Sequence, residues 1–167
     1  MSGLSIAAYF PFRRIKIASQ QVSAEATEAH IQTEPDMRFH PICHGCGKKA
    51  SSVHSWVKRT VRDLSMGSAK VSVPCSYRKV LCSECQAVHV EDLELLHPDL
   101  RVTARFARYV YDLCKMMTVT DVSRHLGLNW KTVKAIDKQC LENDFGQPDY
   151  RGLRILAFDE IAARKGQ

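Results

Sequence analysis

Apolar positions along this chain follow two different periods, and the change between them divides it into two parts. In the first part, apolar and polar residues alternate at residues 14–19 and 29–33, and short apolar segments follow at 71–73 and 77–81. Alternation with a period of two is the pattern of a half-buried β-strand. We therefore predict an N-terminal hairpin from the first two segments and two short strands from the others.

The apolar period changes to about 3.6 after residues 97–99, which predicts helices for the second part. Thr118, followed three residues later by Asp121, is typical of a capping box, so a second helix should begin there and end at Gly127. The first helix has an apolar stripe, interpreted as a packing face, that is formed by Val102, Phe106, Val110, Leu113 and Met117.

The residues around Gly127 fit a helix-turn-helix motif. Two helices can cross at the required angle when the first has a small residue at the contact, a glycine follows four residues on, and an aliphatic residue fills the joint six further on. Ser123, Gly127 and Val133 occupy these positions, and Asn129 is suited to cap the next helix. The pattern is compatible with a DNA-binding motif and with a purely structural helical hairpin.

The last helix of this motif carries a basic face that suits the major groove of DNA, with lysines at i, i+3 and i+7. We assign contacts with base edges to its N-terminal turn: Asn129, Trp130, Lys131 and Thr132. We assign contacts with phosphates to three basic residues: Arg124, Lys134 and Lys138. Packing at the edge of the core is an equal alternative for Trp130.

Two Cys-x-x-Cys pairs lie in the first part of the chain, and they predict a structural Zn²⁺ site of the zinc-ribbon type. The four ligands would be Cys43, Cys46, Cys82 and Cys85. Gly47 suits the positive φ of a knuckle turn, although the segment between the pairs, residues 47–81, is longer than in most ribbons. The alternatives are disulfides, which need an oxidising compartment, and a redox site, which needs one pair at a helix start.

Other cysteines and the nearby histidines are not assigned to the metal, because four thiolates complete a tetrahedron. The histidines are expected at the surface: His44, His54 and His89. The remaining cysteines are interpreted as bystanders: Cys75, Cys114 and Cys140. A basic cluster lies between and beside the pairs, formed by Lys58, Arg59, Arg62, Arg78 and Lys79. Phosphate contact and solvated strand faces are both open for it.

The composition allows one ordinary domain or two small ones, with 167 residues of which 45% are hydrophobic. A net charge of +6 favours an anionic partner. The apolar run at residues 4–12 has no preceding basic residue and is followed by Arg13, which is the reverse of an export signal. No run reaches the roughly 20 apolar residues of a membrane span. We expect a soluble, cytoplasmic protein with no membrane partner.

Several motifs in order resemble the N-terminal part of bacterial insertion-sequence transposases of the ISL3 family. The motifs are Cys-x-x-Cys-Gly, Arg-Lys-x-x-Cys-x-x-Cys, Asp-Val-Ser-Arg-His-Leu-Gly-Leu-Asn-Trp-Lys-Thr-Val-Lys and Gly-Leu-Arg-Ile-Leu-Ala-Phe-Asp-Glu-Ile-Ala-Ala-Arg-Lys-Gly. In that family a zinc ribbon and a helix-turn-helix recognise terminal inverted repeats of double-stranded DNA. An RNase H-like domain with a DDE triad, using Mg²⁺ or Mn²⁺ in a complete member, cuts and joins the DNA.

The resemblance implies an α+β fold with a defined order of domains. A small β-rich zinc ribbon with its N-terminal hairpin would occupy residues 1–97, and a helical helix-turn-helix domain residues 98–145. Residues 146–167 would hold a linker and the first strand of a truncated RNase H-like domain, which the apolar segment 153–158 fits. Asp159 would then be the first acid of the triad.

Three functional hypotheses follow. The first is a DNA-binding transposase fragment, with a full-length transposase or a second copy of itself as candidate protein partners. The second is a free-standing zinc-ribbon and helix-turn-helix regulator of transcription. The third is an enzyme supplied as two pieces, with the missing acids on a second polypeptide.

We expect this polypeptide alone to lack strand-transfer activity. Two-metal phosphoryl transfer needs several carboxylates around ions roughly 3.5 to 4 Å apart, and the resemblance places only Asp159 of the triad within the sequence. The measurement is incubation of the purified chain with DNA and Mg²⁺ or Mn²⁺. Metal-dependent cleavage that disappears in Asp159→Asn would contradict this expectation.

Overall fold

The structure is a computed structural model that describes residues 9–97, 100–146, 149–152 and 154–155. These residues form one β-sheet followed by helices, which confirms the predicted α+β class. The strands are β1 (Ile15–Val22), β2 (Glu28–Pro35), β3 (Ser52–Arg62), β4 (Lys70–Cys82) and β5 (Ala87–Val90). The helices are α1 (Ala104–Cys114), α2 (Val119–Leu126) and α3 (Trp130–Phe145). Asp159 and most of the predicted strand at residues 153–158 lie outside the described residues.

Strand β4 is the centre of the sheet, whose order is β1-β2-β4-β3 with β5 added to β4. Strands β1 and β2 pair antiparallel, so the predicted hairpin is confirmed. This hairpin is built into the sheet, because β2 runs parallel to the first half of β4. Strand β3 pairs antiparallel along most of β4, and β5 pairs with its last four residues.

The two short strands predicted at residues 71–73 and 77–81 are one continuous strand, so that prediction was wrong in its division. The parallel ladder pairs His30 with Ser72 and next Thr33 with Cys75. It is interrupted at Pro74, which has no N–H to donate. The antiparallel ladder continues past this point, because Pro74 pairs with Thr60 of β3. Pairing on one side is therefore enough to keep β4 unbroken.

Alternate residues of β4 enter the core of the sheet, which also explains the long segment between the two cysteine pairs. That segment is the β3–β4 hairpin, and its inward side chains are buried against those of β1 and β2. Burial of each such Val or Ile side chain stabilises the fold by roughly 1.5 to 3 kcal/mol. This core includes Ile15, Ile31, Val61, Val71, Val73, Cys75, Tyr77, Leu93 and Leu95.

The helices enclose a second core, formed by Val102, Phe106, Ala107, Val110, Val122, Val133 and Ile136. Helix α2 begins where predicted, since the Thr118 hydroxyl accepts a hydrogen bond from the Asp121 N–H at 3.2 Å. The predicted apolar stripe was wrong at Met117, which lies beyond the end of α1 and is 37% exposed. Helix α1 ends at Cys114, and the N–H groups of Met116 and Met117 both donate to the Leu113 carbonyl. The chain turns at this point, so the spacing of the helix does not continue to Met117.

A buried carboxylate joins the sheet to the helices. Asp63, at the end of β3, is fully buried and accepts a hydrogen bond of 2.6 Å from the Thr103 hydroxyl. Its carboxylate also receives a two-pronged contact from the Arg105 guanidinium, with Nε at 2.9 Å from Oδ1. Thr103 is at the same time the N-cap of α1. The start of α1 is therefore held against the end of β3.

Among the described residues, no helix is long and apolar enough to cross a membrane.

We expect Asp63→Ala to lower the free energy of unfolding by about 3 kcal/mol, measured by urea denaturation. Removal of one partner of a buried ion pair leaves the other charge uncompensated, and here the Thr103 hydroxyl also loses its acceptor. Glu34→Ala is the matched control, because Glu34 pairs with Lys16 at 2.9 Å on the surface. Exposed pairs contribute less than about 1 kcal/mol. Equal losses in the two variants would contradict the role of Asp63.

Candidate metal centre and nucleic-acid interface

The first cysteine knuckle is a tight turn closed by main-chain hydrogen bonds. The Cys43 N–H donates to the Lys48 carbonyl at 2.8 Å, and the Gly47 N–H donates to the Cys43 carbonyl at 2.8 Å. Gly47 has φ +71°, the left-handed conformation that glycine adopts without strain. The turn directs the sulfurs of Cys43 and Cys46 to the same side.

The second knuckle connects β4 to β5. Cys82 is the last residue of β4 and pairs with Ala87, so the turn between them contains Cys85. The end of β5 then reaches the first knuckle, where the His44 N–H donates to the Val90 carbonyl at 3.1 Å. The two knuckles are thus placed side by side by the β4–β5 hairpin.

The four predicted ligands form one cluster, because all four sulfur atoms lie within 4.8 Å of one another. The Cys43–Cys85 and Cys46–Cys82 sulfurs are 3.9 and 3.5 Å apart. A tetrahedral zinc ion with Zn–S bonds of about 2.3 Å needs sulfurs roughly 3.8 Å apart. The cluster therefore fits Zn²⁺, and a closed set of four thiolates is the donor set of a structural zinc site.

The thiol groups differ in acidity, as expected for sulfurs that share a small volume. Hydrogen bonding from the Cys85 N–H lowers the pKa of Cys82 to about 7. The hydrogen bond with the Cys46 thiol, together with burial, raises the pKa of Cys85 to about 12. The protein groups therefore favour the thiolate of Cys82 and oppose that of Cys85. A divalent cation removes this opposition, since a coordinated thiol is held as the thiolate.

The three nearby histidines and the other cysteines are not part of the described metal cluster. The ring of His89 lies against the first knuckle, and a Cβ on Gly45 would be 3.1 Å from its Cε1 atom. Cys75 is buried in the sheet, where its thiol donates to the Arg59 carbonyl at 3.2 Å. Cys114 and Cys140 are half-buried in helices.

A buried ion pair supports the knuckles, and the sequence analysis missed it. The side chains of Arg78 and Glu91 are 3% and 1% exposed, and Glu91 accepts from the Arg78 Nε at 2.7 Å. Neither alternative given for the basic cluster, phosphate contact or a solvated face, is therefore correct for Arg78. The pairing of the hairpin could have predicted this ion pair. Cys82 pairs with Ala87, so Arg78, four residues before Cys82, lies opposite Glu91, four residues after Ala87. Opposite charges across a ladder stabilise it.

The helix-turn-helix geometry follows the three positions expected from the sequence. The Ser123 hydroxyl donates to the Leu128 carbonyl at 2.7 Å, which holds the turn against α2. Gly127 ends α2 with φ +63°, and its N–H donates to the Ser123 carbonyl. Val133 of α3 is fully buried beside Val122 of α2. The small, flexible and aliphatic residues therefore each have the contact that the motif requires.

The structure brings most of the predicted DNA contacts to the first half of α3. Asn129 caps the helix, since its Oδ1 atom accepts from the Lys131 N–H at 2.9 Å. Trp130 is 52% exposed, and the Lys131 ammonium lies 5.9 Å from the centre of its ring. Thr132 is half-buried.

The residues assigned to phosphates are spread more widely. Lys134 and Lys138 are exposed on α3, and the Lys138 ammonium lies 3.7 Å from Glu142. Arg124 is on α2, where its guanidinium lies 3.3 Å from Asp121. The predicted set therefore extends from the end of α2 over the first two and a half turns of α3.

Comparisons with known proteins agree with both sites. A family model for the helix-turn-helix domain of transposase family ISL3 matches residues 91–141. A second, for the zinc-finger of transposase IS204/IS1001/IS1096/IS1165, matches residues 40–85. The chain is 34% identical over 125 residues to the transposase for insertion sequence element IS1001 of Bordetella parapertussis. This match covers 75% of the chain but 31% of the length of that relative. No solved structure matches the chain.

These matches confirm the predicted zinc ribbon and the predicted helix-turn-helix. The zinc-finger match ends at Cys85, and its range contains all four cysteines of the cluster. The helix-turn-helix match contains α1, α2 and most of α3.

We expect removal of zinc by a strong chelator to unfold the knuckle end of the sheet, at residues 42–50 and 82–91. A structural zinc ion contributes on the order of 10 kcal/mol to folding. The measurements are metal content, thermal unfolding and amide hydrogen exchange. Cys46→Ser should behave like the chelated protein, whereas Cys75→Ala, which changes a buried cysteine outside the cluster, should retain its zinc. Unchanged thermal stability after verified metal loss would refute the site.

Proposed function

The chain belongs to the ISL3 family of transposases, and from this premise we propose that it binds double-stranded DNA at the terminal inverted repeats of an insertion sequence. The zinc ribbon and the helix-turn-helix together would be the part that recognises DNA. The alternative of a free-standing transcriptional regulator is not favoured, because both domains match domains of transposases.

The observation that carries the proposal is the distribution of charge along α3. Its first nine residues carry exposed lysines at residues 131, 134 and 138 and one acid, Asp137, whereas its last seven residues contain Glu142 and Asp144 and no lysine. The Asp144 carboxylate forms an ion pair with the Arg108 guanidinium of α1, at 2.9 Å. The positive end of the helix dipole adds to the basic half. An anionic DNA duplex would therefore be attracted to the N-terminal part of α3.

The proposed contacts divide between the two functions of a recognition helix. Asn129, Trp130, Lys131 and Thr132 are at the N-terminal turn, from which side chains reach base edges in other helix-turn-helix proteins. Arg124, Lys134 and Lys138 would contact phosphates, which position the protein but carry no sequence information. Half exposure of the Trp130 ring supports a role in contact with DNA.

The remaining parts of the proposal concern the whole transposase. In the proposed division into residues 1–97, 98–145 and 146–167, a catalytic domain would begin after the helices, with Asp159 as its first acid. In a complete enzyme that acid would help to hold Mg²⁺ or Mn²⁺. A full-length transposase or a second copy of the chain would be the protein partner, and the cytoplasm would be the site of action.

We expect the double variant Lys134→Gln/Lys138→Gln to bind duplex DNA more weakly and with a lower dependence on salt. Each lost phosphate contact reduces the slope of log K against log salt by about 0.9, so the slope should fall by roughly 1.8. Preference for one sequence over another should change little. Fluorescence anisotropy with labelled duplexes at several salt concentrations measures both quantities.

The matched control is Lys16→Gln/Lys115→Gln, which removes the same charge from two exposed lysines outside α3. Lys16 and Lys115 are both paired with carboxylates, at 2.9 Å in each case. The control should bind as the unmodified chain does. If the α3 variant changed sequence preference and left the salt slope intact, the assignment of these lysines to phosphates would be wrong.

A further inference from the structure

A second basic surface lies where the sheet meets the helix-turn-helix. A cleft of about 520 Å³ separates the β3–β4 turn from α1 and α2. Three of the residues that line it are basic, Arg62, Lys70 and Arg124, and His125 lies beside them. No acidic residue is among the described residues that line it. We name this region the junction cleft, and its charge favours an anion.

Lys70 extends from the sheet to the turn of the helix-turn-helix. Its ammonium nitrogen lies 3.4 Å from the point that a Cβ on Gly127 would occupy. Lys70 is exposed, and it has no ion pair within the part of the chain that the structure describes. This positive charge thus lies beside the turn, with no carboxylate of the described residues paired with it.

Arg62 is a second group in the junction cleft whose hydrogen bonding is incomplete. Its guanidinium lies over the Phe106 ring at 5.6 Å, and one terminal nitrogen donates to the Ser65 hydroxyl at 3.0 Å. Its Nε atom is buried and has no hydrogen-bond partner among the described residues. Burial also lowers the pKa of Arg62. A bound anion would offset the cost of burying this charged guanidinium, because it would supply a negative charge close to it.

The junction cleft lies next to the proposed recognition helix. Gly127, in its lining, precedes the α3 cap Asn129 by two residues, so the Cα atoms are separated by less than about 8 Å. When a recognition helix enters the major groove, the helix before it crosses the sugar-phosphate backbone beside that groove. A phosphate chain at this position would pass along the end of α2 and the mouth of the cleft.

We propose that the junction cleft binds the DNA phosphate backbone beside the groove that α3 enters, with Lys70 of the sheet supplying a contact that spans the two parts of the chain. This inference rests on the proposed function, because it assigns a further contact to the same DNA. The sheet and the helix-turn-helix then bind one duplex as a single body. Asp63, through Thr103 and Arg105, joins the end of β3 to the start of α1, beside the cleft.

The test is the salt dependence of binding to a labelled mixed-sequence duplex, compared among variants of Lys70. Lys70→Gln should lower the slope of log K against log salt by about 0.9, the value for one lost phosphate contact. Lys70→Arg, which keeps the charge, should retain the original slope. Lys16→Gln is the matched control, since it removes one charge from an exposed lysine of the same sheet.

Lys16 is well separated from the junction cleft. It pairs with Glu34, whereas Lys70 pairs in the ladder with Glu28, six residues earlier in β2. Six residues of a strand span roughly 20 Å. Zinc content and thermal unfolding of each variant test whether the fold is intact. We expect an intact fold, because both lysines are exposed.

Three outcomes separate a failure of the cleft proposal from a failure of the proposed function. A lower slope in Lys70→Gln, with Lys70→Arg and Lys16→Gln unchanged, supports the proposal. If Lys70→Gln and Lys16→Gln give the same slope while the Lys134 and Lys138 variant gives a lower one, the cleft does not bind DNA and the proposed function stands. If the zinc-loaded chain binds no duplex at low salt, both proposals are overturned.

Discussion

The buried contact between Asp63 and the start of α1 is the interaction on which the arrangement of the whole chain depends. A carboxylate without exposure to water must have its charge balanced, and here the balance comes from Arg105 together with the Thr103 hydroxyl. Thr103 also caps α1. The same residues therefore begin the helical region and attach it to the sheet.

A second constraint acts at the other end of the sheet, where four thiolates must converge on one ion. Strand β4 runs from Lys70, beside the turn at Gly127, to Cys82 of the four-cysteine cluster. Because β3, which ends beside Asp63, pairs with most of β4, the cysteine cluster and the helices are connected through these two strands. The buried pair of Arg78 and Glu91 lies next to the first knuckle, because Glu91 forms a β-bridge with Cys43.

In an ISL3 transposase, this arrangement has a mechanical consequence for how DNA would be held. A helix-turn-helix on a flexible tether would place only its own contacts on the duplex. Here the zinc-supported sheet forms one wall of a basic cleft, and the end of α2 forms the other. Binding of the recognition helix would then also fix the position of the sheet along the DNA. The zinc ribbon would not have to find its own position on the duplex.

The sequence by itself determined the features that depend on local spacing. These are the four ligands in two knuckles, the cap at Thr118, and the turn built from Ser123, Gly127 and Val133, because each depends on residues a few positions apart. Only the tertiary structure decided the parallel pairing of β2 with β4 and the contact of Lys70 with the turn at Gly127. The physical reason is that these contacts join residues far apart in the chain, and local hydrophobic periodicity does not specify which distant strand or turn a side chain meets.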